Sequence, residues 1–309
     1  MLDVRRMRVL REVAVRGSFS AAAEALSFTQ SAVSQQIAAL EREAGTKLVQ
    51  RNARGIRLTE AGEALVRHTD AILARLAEAE AELEAIAGVR GGRLRLGSFE
   101  SAAASLMPHA IASFRAAHPG VELSMIIAEP EEAAPLLKRG ELDLALGYDS
   151  RIRGEVDGIA RTQLLSDPMF VAMPADHPLV HKRHLRLSDL ADDPWIGSVL
   201  DCECNRLVNR ACAVAGFEPR IAFQTDDYTA MQGFVAAGVG VCLIAELGLT
   251  SVREDIVIRS LGRETPMRQV YAATAADSHR TPATQAMLEI LQGVAARYES
   301  RRPQLQLVG

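Results

Sequence analysis

The chain has 309 residues, of which 48% are hydrophobic and 24% charged, and its formal net charge is −4. This length and composition predict a globular protein with a substantial core, divided into two or three units. No apolar run approaches the ~18 residues of a membrane-spanning helix, the N-terminus leads into an arginine-rich helix rather than an apolar signal core, and four cysteines are too few for a disulfide framework. We therefore expect a cytoplasmic protein without a membrane partner.

The charge is unevenly distributed along the chain. Residues 1–58 contain ten Lys and Arg against five Asp and Glu, a net charge of +5, whereas the remainder contains 25 against 34, a net charge of −9. A basic N-terminal segment on an acidic body is typical of a protein that binds nucleic acid locally. Ordinary solvated surface charge is the alternative interpretation.

The first elements are predicted to be two helices. Residues 2–16 place their apolar side chains at helical spacing, with most of the arginines on the outer face. A second helix is predicted from Phe19 to Leu26, because the hydroxyl of Ser18 can accept one of the free amide protons of its first turn. The first helix is expected to pack behind this segment.

A third helix is predicted from Gln30 to Ala44, with Thr29 as its N-cap and Gly45 as its end. One face is apolar and the other carries small and amide side chains. The apolar positions are Val33, Ile37, Leu40 and Ala44, and the outer positions are Gln30, Ser31, Ser34, Gln35 and Ala38. Two short helices joined by a tight turn, the second polar on its outside, are typical of a helix-turn-helix whose second helix enters the major groove of DNA.

A basic hairpin is predicted after this helix. Short apolar runs, Leu48 to Arg51 and Ile56 to Leu58, flank a turn at residues 52–55. Arg51 and Arg54 lie at its tip, with Arg57 close behind, and cations there would grip DNA phosphates.

A long helix is predicted from Thr59, its cap, to Ala87, about 29 residues or roughly 43 Å. Apolar side chains repeat along it in a heptad pattern, which predicts a seam that packs against a second copy. The seam comprises Leu65, Thr69, Ile72, Leu76, Ala79, Leu83 and Ile86. Packing within its own domain is the alternative, but the glycines 88, 91 and 92 separate this helix from the next segment, so we expect a homodimer.

From Arg93 onward, strand and helix patterns alternate. This order predicts a parallel sheet with helical crossovers. Strands are predicted near residues 94–97, 121–128, 142–147, 169–173, 195–198, 221–224, 241–244 and 270–274, and helices over 101–118, over 131–139 and after Pro282.

Several of these segments resemble the LysR-type transcriptional regulators. The motifs AAAEAL, TQSAVSQQIAALE and RLTEAG between Phe19 and Gly62 resemble that family's winged helix-turn-helix, and HPL, GELDLALG and FVAAGVGVCLI resemble its effector domain, in the family's order. The resemblance implies an α/β fold overall, with an N-terminal winged helix-turn-helix, a long linker helix and a C-terminal α/β domain of two subdomains like that of periplasmic binding proteins.

The resemblance also implies domain boundaries. A winged helix-turn-helix DNA-binding domain would span residues 1–58, a linker and dimerisation helix 59–90, and an effector-binding domain 91–309. Within the last, subdomain I would comprise about 91–162 and 269–301, and subdomain II about 163–268. Crossing segments near 162–166 and 266–270 would join them, and the last helix would return to subdomain I.

The implied function is that of a regulator whose promoter binding responds to a small molecule. Its partners would be double-stranded operator DNA, an effector, a second copy of the chain in a dimer or tetramer, and RNA polymerase. We expect no cofactor, metal or enzymatic activity, because no nucleophile elbow, Walker loop, dinucleotide fingerprint or metal quartet is found.

Specific residues are predicted for each partner. Gln and Ser side chains can hydrogen-bond base edges. The predicted DNA-binding set is Ser18, Ser20, Thr29, Gln30, Ser31, Ser34, Gln35, Arg51 and Arg54, with the two arginines on phosphate. Ser98 and Ser101 occupy the end of a strand and the start of a helix, where ligands of open α/β sheets bind, and they match positions that line the family's effector cleft. The predicted effector-binding set is Ser98, Ser101, Ala102, Glu129, Asp201, Cys202 and Asp226.

The acidic residues of that region bear on the effector's charge. If Glu100, Glu129, Asp201 and Glu203 face the cleft, they predict a cationic or zwitterionic effector, because buried like charges need a counter-ion. Solvated loop carboxylates are the alternative.

Three further hypotheses stay open. Cys202, Cys204 and Cys212 lie where the peroxide-sensing branch of the family has a reactive pair, so a thiol-based redox sensor is an alternative function. His177, His181 and His184 have a spacing that invites a metal hypothesis, although Lys182 and Arg183 would repel a cation. A solute-binding protein is the third alternative, from the architecture of the C-terminal part.

Overall fold

The computed structural model describes residues 1–52, 55–86, 92–150, 155–199, 202–276 and 280–300. Contacts divide the chain into two units, one of residues 1–81 with 138–140 and one of residues 82–137 with 141–309. The secondary structure is mixed α/β, which confirms the predicted class. No helix within the described residues has the length and apolar character needed to cross a bilayer.

The first unit begins with the predicted helices. They are α1 (Val4–Arg16), α2 (Phe19–Ala25) and α3 (Gln30–Ala44). Ser18 Oγ accepts from the Ala21 amide at 3.1 Å, and Thr29 Oγ1 accepts from the Ala32 amide at 3.2 Å. Both predicted caps are therefore confirmed as structural features. Helix α1 begins two residues later than predicted, because the carboxylate of Asp3 caps it.

These helices share one apolar core. Val33, Ile37 and Leu40 of α3 are buried against side chains of α1 and α2, which confirms the predicted inner face. The turn before α3 places Ser27 in the left-handed region, at φ 55°. A non-glycine residue there carries a small backbone strain, which this core holds in place.

The hairpin consists of β1 (Val49–Asn52) and β2 (Gly55–Leu58). Asn52 pairs with Gly55, so the strands run further than predicted and residues 52 and 55 belong to the ladder rather than to a four-residue turn. Glu41 anchors the start of the hairpin to α3, because its carboxylate accepts the amides of Leu48 at 3.0 Å and Val49 at 3.3 Å.

Helix α4 (Glu60–Ile86) contains 27 residues, or about 40 Å. Thr59 Oγ1 accepts from the Gly62 amide at 3.1 Å, as a cap should. Leu65 and Thr69 are only 9% and 0% exposed, so the first part of the predicted seam is internal to its own unit, and that part of the prediction was wrong. Further along, Ile72, Leu76 and Leu83 are 38%, 46% and 65% exposed. Ala87, Gly88 and Gly91 lie outside the described residues.

The second unit is built on a mixed sheet. Its elements up to the first crossing strand are β3 (Arg93–Ser98), α5 (Glu100–Ala117), β4 (Glu122–Ile127), α6 (Pro130–Lys138), β5 (Leu144–Asp149), β6 (Glu155–Val156) and β7 (Ile159–Pro174). The later elements are β8 (Pro194–Gly197), α7 (Glu203–Val214), β9 (Arg220–Gln224), α8 (Tyr228–Ala236), β10 (Cys242–Ala245), β11 (Ile256–Arg259), β12 (Met267–Ala275) and α9 (Pro282–Ser300). Four of these elements, α7, α8, β6 and β11, are not among those predicted from the sequence.

Strand β3 pairs in parallel with β4 and β5, as the strand–helix alternation predicted. The long strands β7 and β12 then run antiparallel to each other across the sheet. The same β7 continues to pair with β10 and β11, which belong to the second half of the unit. The crossing segments expected near residues 162–166 and 266–270 are thus both found in paired strands.

Each half of this unit has its own core. In the first half, α9 packs against α5, which confirms the predicted return of the last helix. In the second half, the buried Trp195 joins the core between β7, α7 and β10, and its indole N–H donates to the Leu190 carbonyl at 3.0 Å. Residues at the carboxyl ends of β3, β4, β8 and β9 meet beside the crossing strand β12, where a ligand site is expected.

Candidate functional site

The outer face of α3 is the candidate DNA-reading surface. Gln30, Ser31 and Gln35 are exposed, and Ser34 is half-buried. The spacing of apolar and polar residues in the sequence predicted these four side chains on the outer face of α3. Their amide and hydroxyl groups can donate and accept, as base-edge contacts require.

The remaining predicted residues of this surface have mixed roles. Ser18 and Thr29 already use their hydroxyl oxygens as helix caps, and Thr29 Oγ1 also lies 3.0 Å from Ser31 Oγ. Ser20 is exposed on α2. The side chain of Arg51, which lies in β1, and the whole of Arg54 fall outside the described residues.

The positive charge of this unit is partly compensated within it. Arg6, Arg11, Arg16 and Lys47 are ion-paired with carboxylates. Within the described part of residues 1–58, the exposed cations that form no ion pair are Arg5, Arg8, Arg42 and Arg57. Among these, Arg57 on β2 lies in the predicted hairpin, which makes it the described candidate for phosphate contact.

A small cavity of 70 Å³ lies where the two halves of the second unit meet. Its wall combines the start of α5, the loops after β4 and β9, the start of α7 and the crossing strand β12. The polar and aromatic lining residues are Phe99, Glu100, Ser101, Glu129, Tyr148, Ser198, Cys202, Cys204, Asn205, Thr225, Asp226, Tyr228 and Arg268.

Four residues of the predicted effector set line this cavity: Ser101, Glu129, Cys202 and Asp226. Two others are placed behind its wall. Ser98 is fully buried and donates its hydroxyl to the Phe99 carbonyl at 3.1 Å, and Ala102 is a core residue with 0% exposure. Ser98 is the last residue of β3 and Ala102 lies in the first turn of α5, and both face the core. Asp201 lies outside the described residues.

The centre of the wall is an ion pair that the sequence patterns did not predict. Arg268 donates to Asp167 Oδ2 through Nε at 3.0 Å and also through Nη2, and it donates through Nη2 to Ser101 Oγ at 2.9 Å. Its guanidinium also lies over the rings of Phe99 and Tyr148, 5.1 and 4.7 Å from their centroids. Asp167 Oδ1 accepts from the Leu247 amide at 3.1 Å. The available signal was weak: Arg268 is the one charged residue of β12, but Asp167 shares β7 with Arg161 and with several polar residues.

Three carboxylates also line the wall. Glu129 accepts from the Tyr148 hydroxyl, Asp226 accepts from the Ser198 hydroxyl and from the Val199 amide, and Glu100 accepts from the Tyr228 amide. Burial raises the pKa of Glu129, and burial together with neighbouring carboxylates raises the pKa of Glu100. Removal from water disfavours the charged form of both groups.

The cysteines are all free thiols. Burial raises the pKa of Cys204 to about 11, and it does the same for Cys212. A reactive cysteine needs the opposite shift. Cys204 and Cys212 therefore lack the lowered pKa of a reactive thiol.

The histidine of the HPL motif has a structural role. Nε2 of His177 lies 3.2 Å from a carboxylate oxygen of Asp193, and Nδ1 accepts from the Leu179 amide at 3.2 Å. Both ring nitrogens are thus already used by the fold. No metal-binding group of His, Cys, Asp and Glu side chains was found within the described ranges.

Two family descriptions match the chain. Residues 4–63 match the bacterial regulatory helix-turn-helix of the lysR family, and residues 87–296 match the LysR substrate binding domain. Together these matches include the α3 surface and the cavity.

Among relatives, the probable HTH-type transcriptional regulator LrrA of Synechococcus elongatus is 30% identical over 95% of this chain and 98% of its own. Among solved structures, a full-length cysteine variant of OxyR from Pseudomonas aeruginosa superposes with a TM-score of 0.69 at 21% identity, covering 94% of this chain and 98% of that one. Full-length CbnR complexed with its target DNA has a TM-score of 0.61 at 20% identity, covering 95% and 100%. At these identities the solved structures show a common fold.

Proposed function

The chain belongs to the LysR family of transcriptional regulators, and from this premise we propose that α3 reads the operator while the cavity beside Arg268 binds the effector. As a member of that family it regulates transcription through an N-terminal DNA-binding domain and a C-terminal effector-binding domain.

The two-sided character of α3 is the observation that supports its assignment as the DNA-reading helix. Val33, Ile37 and Leu40 are 0%, 2% and 0% exposed, so they fix the helix on its unit, and the opposite face is left open and polar. In a helix-turn-helix, an exposed polar face on the second helix is the surface that enters the major groove. We assign Gln30, Ser31, Ser34 and Gln35 to base edges.

Phosphate contacts are assigned to the hairpin. Arg57 is exposed on β2, and Arg51 and Arg54 precede it in the sequence of the hairpin. Cations that flank a recognition helix fix its register on the duplex without reading sequence. The hairpin is held close to α3 by the bonds from Glu41, so it is pre-positioned for this role.

We further propose a homodimer through α4, in which Ile72, Leu76 and Leu83 of two copies cover each other. Two recognition helices then meet two half-sites, which matches the symmetry of palindromic operators. The boundaries 1–58, 59–90 and 91–309 are part of the same proposal, as is action in the cytoplasm without enzymatic activity.

DNase footprinting of the full chain on its own promoter region tests the α3 assignment. Gln30→Ala with Ser34→Ala should remove the sequence preference, and should leave a weak, salt-sensitive affinity for any duplex. Glu24→Ala on the exposed side of α2 is the matched control and should footprint like the parent. An unchanged footprint in the double variant would refute the assignment.

A further inference from the structure

The cavity wall carries more negative charge than its own cations compensate. Glu100, Glu129 and Asp226 come from three different elements and all line the space. Their hydrogen bonds come from the Tyr228 amide, from the Tyr148 and Ser198 hydroxyls and from the Val199 amide. None of the three forms an ion pair with a Lys or Arg of the described residues. A cluster of carboxylates held partly out of water is stabilised by any cation that joins it.

Arg268 compensates only part of this charge. Its charge is already matched by Asp167, which is 0% exposed and receives two of its N–H groups. This pair is close to neutral as a whole. The three lining carboxylates still outnumber the one lining guanidinium, and burial raises the pKa of Glu100 and of Glu129 although Arg268 acts to lower that of Glu129.

Arg268 does offer an unused donor. It is 1% exposed and lines the cavity, yet its bonds to Asp167 and Ser101 involve only Nε and Nη2. Nη1 has no hydrogen-bond acceptor within the described part of the chain. Nη1 is not one of the fully buried unpaired atoms, so it keeps accessible surface in the cavity, and an acceptor atom of a ligand can bind it there.

The space limits the size of the ligand. A cavity of 70 Å³ holds about five water-sized positions. That volume suits a molecule with only a few heavy atoms. The rings of Phe99 and Tyr148 also line this space.

Resting on the proposed function of this cavity as the effector site, we propose that the effector is a compact primary amine that also carries a hydrogen-bond acceptor. Its ammonium group binds Glu100 and Glu129, and its acceptor binds Nη1 of Arg268. Asp226 adds to the negative potential from the opposite half of the unit.

A matched series of small probes tests this on the full chain by saturation-transfer NMR. Glycinamide carries both groups, propylamine only the ammonium, propionamide only the acceptor, and propionate an anion in place of the cation. We expect glycinamide to bind best, propylamine to bind more weakly, and propionamide and propionate to bind at least tenfold more weakly than glycinamide. Equal or stronger binding of propionate, or no binding of either amine, would overturn the inference.

Variants locate the binding. Glu100→Gln and Glu129→Gln keep the size and hydrogen-bonding capacity of each side chain but remove its charge, and each should weaken glycinamide binding at least tenfold. Glu122→Gln, at an exposed position of β4, is the control and should bind like the parent. If the amines bind equally well to all of these variants, the site lies elsewhere and the inference fails.

The proposed function is tested separately on the same samples. If propionate binds and neither amine does, the cavity remains an effector site and only the chemical class proposed for its ligand is wrong. If the parent chain shows no salt-sensitive affinity for DNA, the proposed function fails instead.

Discussion

Arg268 and Asp167 stand directly opposite each other in the ladder between β12 and β7, the two strands that cross from one half of the effector domain to the other. Two N–H groups of the guanidinium reach one carboxylate oxygen, while the other oxygen accepts the Leu247 amide. Both side chains are almost fully buried. The pair thus links the crossing strands, the start of α5 and the cavity in one hydrogen-bonded network.

Removing one member of this pair should be costly. Arg268→Met leaves the Asp167 carboxylate buried without its cation, and we expect the free energy of unfolding of the effector domain to fall by about 3–5 kcal/mol. Urea unfolding can be followed by the fluorescence of Trp195, the single tryptophan, which is buried in this domain.

The control for this prediction is the double variant Asp167→Asn with Arg268→Met. Neutralising both groups removes the uncompensated charge, so the double variant should be more stable than Arg268→Met alone. A loss of less than about 1 kcal/mol in the single variant would contradict the prediction.

A second prediction concerns Glu41, which is 9% exposed. Burial alone would raise its pKa, but hydrogen bonds from Lys47 and from the amides of Leu48 and Val49 outweigh burial and lower it. A folded-state pKa below the unfolded value gives stability that is present above the unfolded value and is lost as the pH falls through the folded one. Glu41→Gln should therefore destabilise the hairpin by about 1–2 kcal/mol near neutral pH and by less in acid.

Hydrogen exchange of the Leu48 and Val49 amides measures this effect on the full chain. Near pH 7 the variant amides should exchange about tenfold faster than those of the parent, since 1.4 kcal/mol corresponds to a factor of ten. The ratio should shrink as the pH falls through the lowered pKa of the parent carboxylate, where that group takes up its proton. Glu24→Gln, at an exposed position of α2, should show no change; a ratio that is constant with pH would argue against a charged anchor.

The local features of the DNA-binding unit were predictable because they depend on neighbours in sequence. Ser18, Thr29 and Gly45 mark the ends of the helices, because each acts on residues only a few positions away in the sequence. The spacing of Val33, Ile37 and Leu40 shows which face of α3 is buried. A periodic apolar pattern, however, does not show whether the buried face is covered by the same unit or by a second copy of the chain. Leu65 and Thr69 continue the heptad spacing of α4, yet they are buried within their own unit.

The effector cavity was only partly predictable for a related reason. Ser101, Glu129 and Asp226 lie next to the ends of strands, where sequence can place a ligand site. Arg268 and Asp167 are separated by 101 residues, and only the register of β7 against β12 brings them together. Ser98, at the end of β3, and Ala102, in the first turn of α5, lie close to Ser101 in sequence but are buried in the core, and a pattern of strand and helix does not fix which of these neighbours faces the ligand site.

The exposed apolar side chains of α4 yield a third prediction. Leu76 is 46% exposed and lies between Ile72 and Leu83 on the proposed dimer seam. A lysine there would place a charge in the centre of an apolar interface. Leu76→Lys should weaken dimerisation at least a hundredfold, as measured by sedimentation equilibrium, whereas Ala71→Lys, an exposed position off the seam, should leave it unchanged. A stable dimer of Leu76→Lys would remove this seam as the interface.

The fourth prediction addresses the thiol of Cys204, which lines the cavity. Burial raises its pKa from 9.0 to about 11, which reduces the thiolate fraction near neutral pH about a hundredfold. The greater nucleophilicity of a more basic thiolate offsets part of this loss. Alkylation by iodoacetamide, followed site by site by mass spectrometry, should be about tenfold slower in the folded chain than at the same cysteine in urea.

The raised pKa of Cys204 should also make the operator affinity insensitive to oxidant. Because a thiol that stays protonated reacts slowly with peroxide, brief treatment with hydrogen peroxide should leave the operator affinity of the parent and of Cys204→Ser the same. If peroxide changes the affinity of the parent but not of Cys204→Ser, then Cys204 acts as a sensor in spite of its burial, and redox control would replace a small-molecule effector as the signal read in this cavity.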